Sequence, residues 1–569
     1  MQSTAALLAV VAVIVLTLAL GTYGLRFSRT TSDFYVASRT VSPAVNASAI
    51  GGEYLSAASF LGAAGLILAY GADMLWYPVG WAAGYLVLLV LVAGPLRRSG
   101  AYTLPDFAEL RLESASARRT TSVLVVLIGW LYLLPQFRGA GLTLHVATDA
   151  PLWAGALLVA VVVLANLLAG GMRSITLVQA FQYWLKLTAI ALPVLFLFFA
   201  WRLDGMPAAT STEHPTFGET TSVHVDTDVR VTVTQPVTVR VDGVLDGRSE
   251  TGQVRLESGS HTFAAGSVVV FDRGDPLPTS AQLRSVPNDS WVLPLGSGAD
   301  HPLYATYSLI LATFLGTMGL PHVLVRFYTN PDGRAARRTS LIVLGLLGAF
   351  YLFPAVYGAL GRLYTPDLLF TGDTDAVVLL LPERLVPGVG GTLLSALVTA
   401  GAFAAFLSTS SGLSISVTGV LSQGVLRSRR RPVAAFRVAA VVAVVVPVGL
   451  ALLSWHLGIA GMVGLAFAMA ASTFCPLLVL GIWWRRLTVP GAIAGLIAGG
   501  GSAGGAVLAT LLARPSGWPG ALLEQPAAWT VPIGFLVMIV VSLLTPERIP
   551  PGTARTLARL HAPEQTRVR

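Results

Sequence analysis

At 569 residues, with 54% hydrophobic and only 11% charged residues and a mean hydropathy of +0.71, the chain departs from soluble proteins, whose charged share is near a quarter. Apolar runs of about 20 residues recur, each enough to cross roughly 30 Å of hydrocarbon as a helix; this makes an integral helical membrane protein and excludes a β-barrel of short alternating segments. The net charge of +9 divides into −7 over residues 203–300 and +16 elsewhere, as expected of two membrane sides, and a single cysteine, Cys475, excludes intramolecular disulfides and cysteine-based zinc sites.

The first apolar run, near 5–24, has no basic segment before it and is followed by Arg26, Arg29 and Arg39, so it is predicted to stay as a reversed anchor rather than be cleaved as a signal peptide. Further spans are predicted near 46–70, 74–96, 120–147, 151–170, 176–201, 304–328, 339–363, 388–425, 433–457, 461–483, 488–513 and 527–545, giving an all-α membrane protein of about thirteen helices. Arginine-bearing connections follow every odd-numbered span: after the first come Arg97, Arg98, Arg118 and Arg119; Arg173; Arg334, Arg337 and Arg338; Arg427, Arg429, Arg430 and Arg431; Arg485 and Arg486; and then the tail. The positive-inside rule puts the N-terminus outside, the C-terminus in the cytoplasm and the acidic stretch outside.

The expected division is an N-terminal extra helix with its cytoplasmic loop (1–45), a first repeat (46–201), an extracytoplasmic β-rich insert (202–303), a second repeat (304–483), two peripheral helices (484–545) and a basic cytoplasmic tail (546–569). In the insert, SVHVDTDVRVTVTQPVTVRV from Ser222 alternates valine with polar residues, and Asp-Gly at 242–243 and 246–247 reads as turns between short strands. The insert is read as surface decoration of the kind loops tolerate, and any protein partner for it is unknown.

Polar groups at bilayer depth are costly, so those inside spans are the default functional candidates. In the second span Gly51 and Gly52 weaken the helix beside Glu53, and unwound carbonyls there would face an ion; the alternative is a glycine pair that lets helices pack. The fourth span carries Gln136 and Arg138, and the sixth carries Gln179, Gln182 and Lys186 on one face that must look into the bundle. Lys186 is too deep to reach the surface, so either its charge finds a partner, in a substrate carboxylate or Glu53, or its pKa falls; Arg138 could grip both carboxylate oxygens. The seventh span is expected to break at Gly316, Gly319 and Pro321, next to His322, which could titrate near neutrality but is read first as making a structural hydrogen bond. Two broken helices, each opening a set of five spans, form the pattern of inverted repeats with a midplane binding site. In the ninth span Ser408 and Thr409 offer adjacent hydroxyls suited to Na⁺, or else simply bond the preceding turn.

The stretches GEYLSAASFLG (52–62), GTMGLPHVLVRFYT (316–329), GAFAAFLSTSSGL (401–413) and GMVGLAFAMAAS (461–472) resemble the sodium:solute symporter family, and within it the cation/acetate and monocarboxylate branch. The resemblance implies two inverted five-helix repeats, alternating access and cation-driven uptake. It also implies a sodium site in which Gly52, Leu55 and Ala405 offer carbonyls and Ser408 and Thr409 offer hydroxyls. The hydroxyl pair departs from acetate-branch members, which often carry apolar residues there, and Thr176 stands where the family often has an acid. Related folds can place a lysine ammonium where sodium would sit, so Lys186 raises H⁺ coupling.

The leading expectation is a Na⁺-coupled importer of acetate, propionate or pyruvate in the bacterial cytoplasmic membrane, with H⁺ as the other coupling ion and no organic cofactor or nucleic-acid partner. The alternatives are a symporter of another small solute, such as the amino acid proline, and a symporter-like sensor. The sequence after the last span is too short for a catalytic output domain, and no HExxH or metal-spaced ligand cluster points to an enzyme.

Overall fold

The computed structural model describes residues 2–25, 41–424, 432–453, 458–512 and 516–562. The basic connections expected at Arg26, Arg29 and Arg39 and at Arg427, Arg429, Arg430 and Arg431 lie outside the described residues, as do the side chain of Arg173 and the end of the tail.

Lipid offers backbone N–H and C=O groups no partner, so apolar crossing segments satisfy them internally as helices. The helices that position the site are α1 (Gln2–Leu25), α2 (Pro43–Tyr54), α3 (Trp76–Val87), α4 (Ala115–Thr148), α5 (Leu152–Leu203), α6 (Pro302–Gly319), α7 (Pro321–Phe327), α8 (Gly333–Tyr364), α9 (Asp367–Thr371), α10 (Val389–Gly424), α11 (Pro432–Leu453), α12 (Ile459–Trp483), α13 (Val489–Leu512) and α14 (Ala527–Leu544). Side-chain caps start several of them: Ser42 accepts from Val45 N ahead of α2, which has Pro43 in its first turn, while Ser114 and Asp332 accept from Ala117 N and Ala335 N at α4 and α8.

Among the described residues ten helices are long and apolar enough to cross a membrane, or eleven if α6 and α7, bent by 44°, form one span. The stretch Ala58–Ser99 passes as a single run of 42 residues. At about 1.5 Å per residue it would reach roughly twice the hydrocarbon thickness, and Gly71 at φ +74 turns the chain inside it. Leu152–Leu168 is apolar but falls short of the length test. The connection expected around Arg173 is not a loop, because α5 runs unbroken from Leu152 to Leu203; adjacent glycines weaken a membrane helix without ending it. In the bundle α10 packs against α1, α4 and α5, α2 rests on α5 and α8, and α6 lies against α3 and α12.

Residues 221–280 form a seven-stranded sheet from β1 (Thr221–His224), β2 (Val229–Val233), β3 (Val237–Leu245), β4 (Arg248–Leu256), β5 (Gly259–Phe263), β6 (Val268–Phe271) and β7 (Thr279–Ser280). The order is β1-β6-β3-β5-β2-β7, with β4 paired to β3. Valines alternate inward along β2 and β3, so one face is buried. Asp246 and Gly247, both at positive φ, form the two-residue turn between β3 and β4. Asp242 and Gly243, expected to turn, instead lie within β3 opposite Thr251 and Glu250; a Cβ at Gly243 would collide with Ser267, so that glycine serves close packing.

Phe370 of α9 covers the buried face, its ring 5.4 Å from both Phe263 and Phe271. Trp291 Nε1 donates to the Ile67 and Leu68 carbonyls at 2.8 and 3.1 Å, and Asp73 accepts from Leu295 N and Ser297 N. Arg362 donates to Asn288 Oδ1, Leu68 O and Val286 O. Phe370→Ala is expected to cost about 3–5 kcal/mol of packing, read as faster limited proteolysis within 221–280 while the helices stay protected. Unchanged cleavage would remove Phe370 from this anchoring role.

Candidate cation and substrate site

Helix α2 ends at Tyr54, Leu55 leaves the helical path at φ −71, ψ 87, and helix resumes at Ala57. The break thus follows Glu53 instead of falling at the glycines, and Gly51, expected as a breaking residue, is helical. Its missing Cβ serves packing: a methyl there would come 2.8 Å from the Tyr183 ring, and one on Gly52 would collide with the Gln179 carbonyl oxygen. The second break falls at Leu320, between Gly319 and Pro321, with the proline in the first turn of α7. Gly316 lies inside α6, where a Cβ would sit 2.5 Å from the Phe467 carbonyl oxygen.

At the first break the freed carbonyls converge on one cation. Lys186 Nζ, fully buried, donates to Gly52 O, to Leu55 O at 2.8 Å and to Ser408 Oγ at 2.9 Å. Ser408 Oγ lies 2.7 Å from Gly52 O and 3.0 Å from Ala405 O, and Thr409 Oγ1 donates to Glu53 O at 2.7 Å. Three of the five residues on which the resemblance places a sodium site, Gly52, Leu55 and Ser408, therefore hold an ammonium, while Ala405 O accepts from Ser408 and Thr409 bonds Glu53 O. The ammonium's three protons have three acceptors.

Glu53, weighed as a partner for Lys186, pairs with Arg326 of α7: Nε to Oε2 is 2.6 Å, with both side chains buried. The same guanidinium donates to Thr176 Oγ1 at 2.8 Å and to Gln179 Oε1, and Gln179 Nε2 donates to Ser408 O at 2.8 Å. Gly412 gives the carboxylate its space, since a Cβ there would collide with Glu53. The two networks meet at Ser408, and α2, α5, α7 and α10 are joined through them.

Other expected residues serve elsewhere. Gln136 Oε1 accepts from Ala57 N at 2.9 Å, capping the resumed half-helix. Gln182 turns to α1, donating to Thr17 Oγ1 at 3.0 Å. Arg138 Nη1 is buried without a hydrogen-bond partner among the described residues, in the field of Asp375 and Asp373. Among the described residues neither ring nitrogen of His322 has a hydrogen-bond partner, so the structural hydrogen bond expected first of it is not seen there; its ring lies 5.2 Å from that of Tyr132. The sequence reading missed Arg326, although it lies in the stretch 316–329 and five residues past Pro321. It also missed Tyr77, Trp81 and Tyr85, whose i, i+4, i+8 spacing along α3 lines a single face.

The sequence profile of the Sodium:solute symporter family matches residues 34–230 and 285–499. The chain belongs to the sodium:solute symporter family. It is a multi-pass membrane transporter of the symporter class, not an enzyme. It is 30% identical over 494 residues to the monocarboxylic acid transporter of Corynebacterium glutamicum, covering 84% of this chain and 78% of that one. It is 28% identical to the uncharacterized symporter YwcA of Bacillus subtilis, covering 94% and 93%. A substrate-bound, outward-open Na⁺-coupled sialic acid symporter shares the fold at a TM-score of 0.61 and 12% identity, over 94% of this chain and 98% of that one.

Removing one member of a buried ion pair strands the other. Arg326→Met is expected to destabilise by about 3–5 kcal/mol, with the double variant Arg326→Met, Glu53→Met regaining much of the loss. Thermal unfolding in detergent reads this, and a double variant no more stable than the single one would remove the pair from its bracing role.

Proposed function

We propose that this symporter imports a short monocarboxylate such as acetate, propionate or pyruvate, driven by protons that load and leave Lys186. The observation that carries this reading is the ammonium held by Gly52 O, Leu55 O and Ser408 Oγ. A neutral amine has only two N–H groups, so losing the proton strips one acceptor from the junction between α2 and α10 and loosens it. Coupling follows because protonation then favours one conformation over the other. Lys186 and Arg326 against Glu53 leave one buried positive charge in excess, which a monoanion balances. The relative named for monocarboxylic acids supports the same substrate class.

The two broken helices support an architecture of about thirteen spans with inverted repeats 46–201 and 304–483. The arginine-bearing connections other than Arg173, which lies within α5, support an N-terminus outside and a C-terminus in the cytoplasm, and the membrane we assign is the bacterial cytoplasmic one. A second reading is Na⁺ coupling, in which Lys186 swings away and Na⁺ takes the carbonyls with Ser408 and Thr409. The hydroxyl pair and the family favour it.

Proteoliposomes with an imposed H⁺ or Na⁺ gradient separate the two. Acetate accumulation under the H⁺ gradient alone, abolished in Lys186→Met, is the expected result. Accumulation under Na⁺ alone, reduced in Ser408→Ala with Thr409→Ala, would replace the proton by sodium. No carboxylate accumulation under either gradient would overturn the substrate assignment.

A further inference from the structure

Buried polar atoms without a partner cost about 1–3 kcal/mol each, so a group of them calls for a ligand or water. Four such atoms fall within one ring cluster at the two helix breaks: Trp81 Nε1, Tyr85 OH, and both ring nitrogens of His322. All three side chains are at most 1% exposed. Tyr54, the last residue of α2, packs edge-on against Tyr85 at 5.0 Å, and its hydroxyl donates to Trp81 O at 3.1 Å. Tyr54, Trp81 and Tyr132 all surround Phe467, with ring centroids 6.3, 6.0 and 5.9 Å from it. Tyr132 in turn carries the His322 ring at 5.2 Å. The cluster adjoins the charged networks, since Tyr132 OH reaches Ser56 Oγ at the first break and Tyr85 feels the Glu53 carboxyl.

The charged groups of the site are already engaged: Lys186 by its three acceptors, and Arg326 by Glu53, Thr176 and Gln179. We infer that the substrate carboxylate is bound by neutral donors, Trp81 Nε1–H, Tyr85 O–H and the His322 N–H, with its short alkyl end against the Phe467 ring. This rests on the monocarboxylate reading above and assigns the side chains that recognise it. Trp81 can only donate, so its partner must be an acceptor, and a carboxylate, which is acceptor-only, fits it. The excess positive charge of Lys186 and Arg326 stabilises that anion through the field, without contact. Lys186 thereby stays available to the cation step.

Trp81→Phe and Tyr85→Phe each delete one donor and keep a ring. Labelled-acetate uptake into proteoliposomes is expected to show KM raised about tenfold to a hundredfold in each, as for loss of a hydrogen bond to a charged group, with a smaller change in kcat. Trp130→Phe, which removes another unpartnered indole N–H outside this cluster, should leave KM unchanged. Wild-type KM in both Trp81→Phe and Tyr85→Phe overturns the assignment and leaves the four atoms to water. A wild-type protein that takes up no monocarboxylate overturns the functional reading instead. Competition on the unaltered protein tests the same point: propionamide, which presents an N–H to these donors, should inhibit acetate uptake at least tenfold more weakly than propionate, and equal inhibition also overturns the assignment.

Discussion

The helix break at Leu55 and Ser56 is the constraint around which the centre of this protein is arranged. A membrane helix interrupted at depth exposes carbonyls and an amide that lipid cannot satisfy. Here each has an answer from another helix: Gln136 caps Ala57 N, Thr409 bonds Glu53 O, and Lys186 takes Gly52 O and Leu55 O. The close approach that makes this possible comes from Gly52 against the Gln179 backbone. A side chain at Gly52 would push α2 away from α5 and leave Lys186 without its acceptors.

A buried ion pair is weak evidence for stability, because desolvation offsets most of the attraction. Glu53 and Arg326 are better understood as a geometric tie between the two broken helices, one on α2 and one on α7. Gln179 connects that tie to the ammonium site, accepting from Arg326 and donating to Ser408 O. A change of charge at Lys186 therefore acts on a residue, Ser408, whose backbone belongs to the arginine network. The two broken helices are joined by hydrogen bonds through α5 and α10 as well as directly.

Much of this was legible in the sequence because membrane depth makes polar residues conspicuous. Lys186, Gln179, Glu53, Ser408 and Thr409 stood out in apolar runs, and the structure brings them within one network. The break itself was misplaced by three residues, since glycines signal both weak helix and close packing and only tertiary contacts tell the two apart. Arg326 escaped notice because it precedes a basic connection, where an arginine reads as an interfacial charge. Trp81 and Tyr85 escaped because aromatic residues count as apolar in a hydropathy pattern, although each carries one polar atom. Gln182 shares a helical face with Gln179 and Lys186, yet four residues of rotation suffice to aim it at α1.

The insert shows the same dependence on contacts that local sequence does not encode. The family profile skips residues 231–284, most of the sheet, so the sheet is an addition to the family's common chain. Its buried face is nevertheless completed by Phe370, which lies in the matched region. The segment after the sheet, through Trp291 and Leu295, is anchored on Ile67, Leu68 and Asp73, which lie on the half-helix that resumes after the break and on the turn that follows. Thr374 and Asp375, just past α9, pack closely on Gly65 of that half-helix. A displacement of the half-helix must either break the Trp291 and Arg362 bonds or carry residues 286–291 with it. The segment that follows the sheet is thus tied by hydrogen bonds to the half-helix that the cation site organises.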